Sequence, residues 1–310
     1  MSVPAPDTTD RRPSTDVVIG IPAYNEADTV GGIVRAAREQ VGDVVVVDDG
    51  SDDRTAAVAR DAGATVVSHT RNRGYGAALA TLFTAAYEHD ADHLVVVDAD
   101  GQHDPADALD LVVTQRASGG DIVVGSRFAA GADTEMPLYR RAGLAVINGL
   151  VGAALRLGYS SNPVTDTQSG FRAYNAAAIE MLACRAELSD GMDASLDILF
   201  HAAAEDCTFA ETPVDVRYDV AERNTHNPVV HGGVLVRNVV GRVLTDRPLR
   251  TLGVPGSLCL LLGGLLSRAS ITSVTMLSAV VPLLITVLVL TGGGLVGAAL
   301  AVDSLRPGQD

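Results

Sequence analysis

Asp98 and Asp100 stand two residues apart, directly after the apolar run Leu94-Val95-Val96-Val97, and Gly101 and Gln102 follow at once. Two carboxylates and an amide oxygen at this spacing make a hard, all-oxygen donor set. Such sets hold Mg²⁺ or Mn²⁺ beside phosphate groups. An isolated Asp-Ala-Asp turn can equally be a solvated loop, so its company decides. Two further segments of related design precede it, Pro22-Ala23-Tyr24-Asn25-Glu26 and Asp48-Asp49-Gly50-Ser51, each after a short aliphatic run. In the first, backbone N–H groups at a helix start, with Asn25 and Glu26 beside them, can grip a nucleotide. In the second, a carboxylate is placed either to accept from a ribose hydroxyl or base N–H, or to cap the next helix.

These segments need strand ends to hold them. The apolar runs 16–22, 44–47, 64–68, the run ending at Asp98, and 121–125 read as strands. Helical patterns separate them at 28–40, 55–62, 76–88 and 104–117, the first marked by Asp28 and Thr29 as caps. Alternation of this kind implies an α/β fold with parallel strands, right-handed crossovers and helices on both faces. Ligands in such open sheets gather at the carboxyl ends of the strands. Farther on, 139–157, 179–182 and 192–204 read as helices, 162–170 as a polar loop, and 211–218 as an edge strand.

The C-terminal part has a different character. Residues 251–267 and 269–302 carry no charged side chain. A helix needs about 20 apolar residues to cross a bilayer, so two transmembrane helices are expected over 251–302. An amphipathic interfacial helix is expected over 229–250. Arg237, Arg242, Arg247 and Arg250 precede the first span, which puts the N-terminal part and the tail 303–310 on the cytoplasmic side of a cell membrane. The same arginines either set topology alone or also attract a lipid phosphate. Residues 1–14 are expected to be a disordered tail, because the segment is polar and rich in Pro, Thr and Asp. The folded N-terminal part is then 15–228.

The formal net charge is −15 and there is no lysine. That composition fits work in concentrated salt and argues against nucleic acid as a partner, which needs a basic face. Cys184, Cys207 and Cys259 are odd in number and far apart, and are expected to be reduced. No Gly-x-Gly-x-x-Gly follows the first strand, which disfavours a dinucleotide oxidoreductase.

In order along the chain, Pro22–Glu26, Asp48–Ser51, Asn72-Arg73-Gly74-Tyr75-Gly76 and Asp98–Gln102 form one set, with Val124-Gly125-Ser126-Arg127-Phe128 and Asp166-Thr167-Gln168-Ser169-Gly170-Phe171-Arg172 completing it. This set resembles the family 2 glycosyltransferases of the GT-A fold, over roughly residues 15–220. Within that family the chain looks like a polyprenyl-phosphate hexosyltransferase of the dolichyl-phosphate glucose or mannose synthase kind. Gln102, the Ser169–Arg172 segment and the Arg247-Pro248…Pro255-Gly256 entry into the apolar region carry that likeness. The absence of Trp rules out the Gln-x-x-Arg-Trp signature of processive polysaccharide synthases.

The resemblance implies transfer, with inversion, of a hexose from a nucleotide-diphosphate sugar to dolichyl phosphate, for protein N-glycosylation. UDP-glucose is the favoured donor and GDP-mannose the other. The alternative is a membrane-anchored transferase acting on a glycan or protein. It implies nucleotide-sugar contacts from Pro22, Ala23, Tyr24, Asn25, Glu26, Val46, Asp48, Asp49, Asn72, Gly74, Asp98, Ala99, Asp100 and Arg127. A Mg²⁺ or Mn²⁺ ion would sit on Asp98, Asp100 and Gln102. The acceptor phosphate would meet Ser169, Arg172, Arg217 and Arg223. Asp100, Arg127 and Arg172 would carry catalysis, the ion as Lewis acid and the arginines as donors to phosphate oxygens. Related synthases place a Gly-x-Ser-Lys after Arg217, where this chain has Ala221 to His226. Arg223 is the expected substitute for that lysine. His103, which follows the acid cluster, reads either as a neighbour supporting the metal-like group or, in preference, as a solvated turn residue.

Overall fold

A computed structural model describes residues 16–132, 136–159, 164–216, 248–272 and 280–304. The chain divides into two compact units, one of residues 1–152 with 161–227 and the other of residues 153–160 with 228–310.

The first unit is built on a seven-stranded sheet. Its strands are β1 (Val17–Ala23), β2 (Asp43–Asp48), β3 (Thr65–Ser68), β4 (His93–Val96), β5 (Ile122–Ser126), β6 (Arg172–Asn175) and β7 (Phe209–Pro213). Their spatial order is β3-β2-β1-β4-β6-β5-β7. All neighbours are parallel except β6, which lies antiparallel between β4 and β5. This short strand is absent from the sequence expectation, because four residues headed by an arginine show no apolar run. β7 takes the expected edge position, pairing only with β5. It stops at Pro213, whose missing N–H cannot continue a ladder.

The runs of aliphatic residues exist because both faces of the sheet are covered. Successive side chains of a strand point to opposite faces. Val18, Val45, Val47, Leu94, Val96, Ile122 and Val124 therefore enter one core. Ile19, Ile21, Val44, Val46, Val95 and Val123 enter the other. The first core is closed by α3 (Tyr75–Glu88), α6 (Ala176–Cys184) and α7 (Ala194–Ala204), and the second by α1 (Val30–Gln40), α2 (Thr55–Asp61) and α4 (Ala108–Ser118). α1 begins two residues later than expected. Thr29 makes no capping bond, and its hydroxyl turns instead to the Glu26 side chain and the carbonyl of Ala99. Asp104 caps a 3₁₀ turn at Pro105–Asp107 that precedes α4. α5 spans Leu138–Tyr159.

The topology fixes where a ligand can sit. From β1 the chain runs outward through β2 and β3, then returns to add β4 on the other side of β1. The sheet thus reverses direction between β1 and β4, and the crevice at their carboxyl ends is the favoured ligand position. Ala23 ends β1 and Val96 ends β4, so Tyr24–Glu26 and Asp98–Gln102 flank that crevice.

In the second unit a turn of π-helix, Leu249–Gly253, leads into α8 (Val254–Thr272), and α9 covers Val280–Ser304. α8 and α9 meet where glycine replaces side chains: a Cβ on Gly292 would lie 2.6 Å from the Gly256 carbonyl oxygen. Here the sequence expectation needs correction. Among the described residues one helix, Leu284–Ser304, is long and apolar enough to cross a membrane. The apolar part of α8, Val254–Ser267, falls short of a bilayer's thickness, so a two-span hairpin is not supported. The expected interfacial helix at 229–250 lies almost wholly outside the described residues, as do Arg217, Arg223, Arg237, Arg242 and Arg247.

Several glycines of the first unit stand where a side chain would collide with backbone, and Gly74 adds a dihedral constraint. Gly74 precedes α3 at φ 98° and ψ 162°, a region open essentially to glycine alone. A Cβ there would also lie 2.1 Å from the Asp190 carbonyl oxygen. Gly74→Ala should cost about 2 kcal/mol or more, and so lower the melting temperature by roughly 4–8 °C. An unchanged thermal melt would refute this account of the turn.

Candidate active site

Beyond β4 the chain turns at Asp98–Gln102. The Asp98 carboxylate accepts a hydrogen bond from the Tyr75 phenol at 3.1 Å. Gly170 faces the other oxygen: a Cβ there would come within 2.7 Å of Asp98 Oδ2 and 2.9 Å of the Tyr75 hydroxyl. Asp100 Oδ1 accepts from the backbone N–H of Gln102 at 2.9 Å, which closes the turn. Burial and the nearby Asp100 charge push Asp98 up to about 6, against the Tyr75 hydrogen bond and the Arg172 and Arg127 charges. Burial also raises Asp100.

Two carboxylates that each titrate high, side by side at a crevice, form a place where a divalent cation would relieve repulsion. Only two acids converge; no cluster of three metal-binding His, Cys, Asp or Glu occurs among the described residues. That donor set suits an ion that completes its shell with substrate phosphates and water. A side chain at Gly170 would press on Asp98 Oδ2, so the glycine keeps that oxygen clear of one, and the residues fit such an ion.

The turn after β1 behaves otherwise than its sequence implies. The Asn25 N–H donates to Ser51 Oγ at 2.9 Å, that of Glu26 to Thr55 Oγ1 at 2.8 Å, and that of Ala27 to Asp53 Oδ2 at 3.2 Å. Asn25, at φ 57°, accepts in return from the Asp52 N–H. The amides expected to grip a nucleotide thus bind the β2 turn, locking two strand ends together. Pro22 and Ala23 end β1 as buried residues. Tyr24 is 42% exposed, and Asn72 and the Arg73 side chain face solvent. Val46 lies fully inside the sheet core, which removes it from any ligand.

Asp49 is likewise occupied. Its carboxylate accepts from the Arg73 N–H at 2.9 Å, from the Gly74 N–H at 2.7 Å, and meets His69 Nδ1 at 2.6 Å. It organises the 71–74 loop and is no open partner for a ribose. Asp48 accepts one long bond from the Ser51 N–H at 3.3 Å, and remains the better placed of the two.

At the end of β5, Arg127 is gripped by Asp166. Nε and Nη2 donate to the two carboxylate oxygens at 2.7 Å each, and the Arg127 N–H adds a third bond. Asp166 is fully buried, and Glu211 from β7 fixes its turn by accepting from the Thr165 and Asp166 N–H groups. Arg127 is held rigidly, close enough for its charge to oppose the rise of Asp98 and to add to the lowering of His103. Arg172 requires a correction. It is 1% exposed, and its guanidinium donates to the carbonyls of Thr167 and Ser195 at 2.9 Å each. The arginine clamps the 164–171 loop onto α7 from inside, which is no position for a phosphate donor. Its charge still acts on Asp98 through the interior.

His103 is no solvated turn residue. It stacks on Phe171 with ring centroids 4.8 Å apart, and burial with the Arg127 charge pushes its imidazole down to about 4. His103 Nδ1, Gln168 Nε2 and Ser169 Oγ are buried without a hydrogen-bond partner among the described residues. Buried polar atoms in that state are costly and mark places where a polar ligand is expected. Tyr75, Gly170, Asp166 and His69 belong to this architecture although sequence spacing gave them no role.

Residues 18–182 match the model of glycosyl transferase family 2. The chain belongs to glycosyl transferase family 2. Among relatives of this glycosyltransferase is the UDP-N-acetylglucosamine–dolichyl-phosphate N-acetylglucosaminyltransferase of Methanococcus voltae, 33% identical over 184 residues, covering 52% of this chain and 70% of that one. A dolichyl-phosphate hexose transferase of Haloferax volcanii is 29% identical over 235 residues, covering 75% and 96%. Among solved structures, glucosyl-3-phosphoglycerate synthase of Mycobacterium tuberculosis with Mn²⁺, UDP-glucose and phosphoglyceric acid superposes with a TM-score of 0.54. It is 22% identical and covers 75% of this chain and 79% of that one. The fold is therefore that of the GT-A transferases.

The raised Asp98 gives a test by sign. Its folded value of about 6 exceeds the ordinary 3.8, so protonation favours the fold. That contribution is complete below about pH 4 and is lost as pH rises through 6. Without metal at pH 7.5, Asp98→Asn should melt about 2–4 °C above the wild-type enzyme, from ~1 kcal/mol, with the gap closing toward pH 4.5. A variant several degrees less stable at pH 7.5 would contradict the assignment.

Proposed function

We propose that this family 2 glycosyltransferase moves a hexose from a nucleoside diphosphate sugar to a polyprenyl phosphate, dolichyl phosphate, at a cell membrane surface. The carrying observation is the Asp98–Asp100 pair at the β1/β4 crevice, in a chain whose relatives are named for dolichyl-phosphate acceptors. UDP-glucose is our donor of choice, with GDP-mannose second, and the product serves protein N-glycosylation. The apolar helix Leu284–Ser304 supports attachment to a bilayer, and the arginines before residue 251 favour a cytoplasmic catalytic unit.

The residues divide the work as follows. Asp98 and Asp100, with Gln102, would hold a Mg²⁺ or Mn²⁺ ion, which when bound neutralises the pyrophosphate leaving group. Arg127, stiffened by Asp166, adds a fixed positive charge on the same side. It needs no reorganisation as charge develops. Asp48 faces the nucleoside. Ser169 and Gln168 offer the incoming phosphate buried donors that have no hydrogen-bond partner among the described residues. That acceptor is already ionised at neutral pH, so the site must position it for in-line attack and needs no strong base. A single displacement inverts the anomeric centre. Arg217 and Arg223, outside the described residues, are the cations we assign to the acceptor phosphate.

Membranes from expressing cells, given labelled UDP-glucose or GDP-mannose and dolichyl phosphate, should form a charged glycolipid. EDTA should abolish the product and Mn²⁺ restore it. Asp100→Ala should lower the rate by roughly 10²-fold or more. Failure to label lipid with any nucleotide hexose, or transfer to soluble glycan or protein instead, would overturn the proposal.

A further inference from the structure

The Asp98 carboxylate does not set its own direction. Its Oδ1 is held by the Tyr75 phenol at 3.1 Å, and its Oδ2 lies beside Gly170, where a Cβ would come within 2.7 Å of it. Tyr75 is in turn the first residue of α3 and follows directly on the constrained Gly74. Gly74 is bound through its N–H to Asp49 at 2.7 Å, and the neighbouring Arg73 N–H to the same carboxylate at 2.9 Å. His69 completes this group: one ring nitrogen meets Asp49 at 2.6 Å, the other Thr81 of α3 at 2.9 Å. The Asp49 and His69 side chains are 5% and 7% exposed, so solvent cannot substitute for these bonds.

We infer that Tyr75 is a positioning residue that aims the Asp98 carboxylate at a divalent cation, and that the buried Asp49–His69 pair holds Tyr75 in place. This rests on the metal reading given above. The physical reason is rotational. A carboxylate with one oxygen tied to a phenol and the other beside Gly170 has one orientation, whereas an untied one samples several and binds an ion less well. Outer hydrogen bonds to metal ligands are commonly worth 10- to 100-fold in metal affinity. Asp49 thereby acquires a role its sequence position conceals: it braces the strand-end turn whose tyrosine crosses from β2's side of the crevice to β4's.

Tyr75→Phe removes the donor and keeps the ring in the core. The test titrates Mn²⁺ into the full-length protein with saturating UDP, and with GDP as a second arm. Free ion is followed by electron paramagnetic resonance beside a thermal melt. The Mn²⁺ Kd should rise about tenfold in Tyr75→Phe, and less in Asp49→Asn. At saturating Mn²⁺, kcat should recover most of its wild-type value, and the Tyr75→Phe melt should stay within a few degrees. Equal Mn²⁺ affinity in wild type and Tyr75→Phe, with Asp98→Ala binding none, would overturn the inference and leave the function standing. A wild-type protein that holds no Mn²⁺ in either arm would bring down the metal reading and this inference together.

Discussion

Two like charges held within interaction distance at the end of β4 are the constraint on which the catalytic unit depends. Asp98 and Asp100 each titrate above the ordinary carboxylate range, Asp98 because of burial and its neighbour, Asp100 because of burial. A fold left to maximise its own stability would pair or remove them. Here the offsetting groups are modest: one phenol, two backbone N–H groups, and the fields of Arg127 and Arg172. Unfavourable electrostatics of this kind concentrate where a ligand supplies the missing charge.

The other buried or clamped acids show the contrast. Asp166 is saturated by the Arg127 fork, Asp49 by two backbone amides and His69, and Glu211 by the Thr165–Asp166 turn. Burial pushes Asp121 up, but bonds from Thr208 and Asn175 outweigh it and hold the carboxyl below its ordinary range. Those acids connect elements: β5 to the 164–166 turn, β2 to α3, β5 to β6. Acidic side chains thus serve as internal fasteners across the unit, and the strand-end pair stands apart by lacking such closure. The same logic explains Arg172, whose interior bonds turn a predicted phosphate donor into a fastener of the 164–171 loop.

The alternation of strands and helices, the edge position of 209–213 and the location of the acid pair were all legible in the sequence. They follow from apolar runs and from the rule that parallel sheets present ligands at strand ends. Other features were not, for physical reasons. Strand β6 is too short and polar to show a period. The Asp49 carboxylate looks the same in sequence whether it faces a ribose or a backbone amide; which one depends on the 71–74 loop folding back to it. Tyr75 and Gly170 lie 95 residues apart in the chain, and each meets Asp98 only once α3 and the β6 approach are built. The α8 segment looked like a span because charge-free length alone was read, whereas its helix carries too short an apolar stretch.

The most direct measurement is the anomalous diffraction of Mn²⁺ in crystals grown with the bound nucleotide. The account predicts one peak at the crevice, about 2.0–2.3 Å from a carboxylate oxygen of both Asp98 and Asp100, with diphosphate oxygens completing the shell. A peak held by diphosphate alone, with both carboxylates turned into bonds of the protein's own, would contradict it.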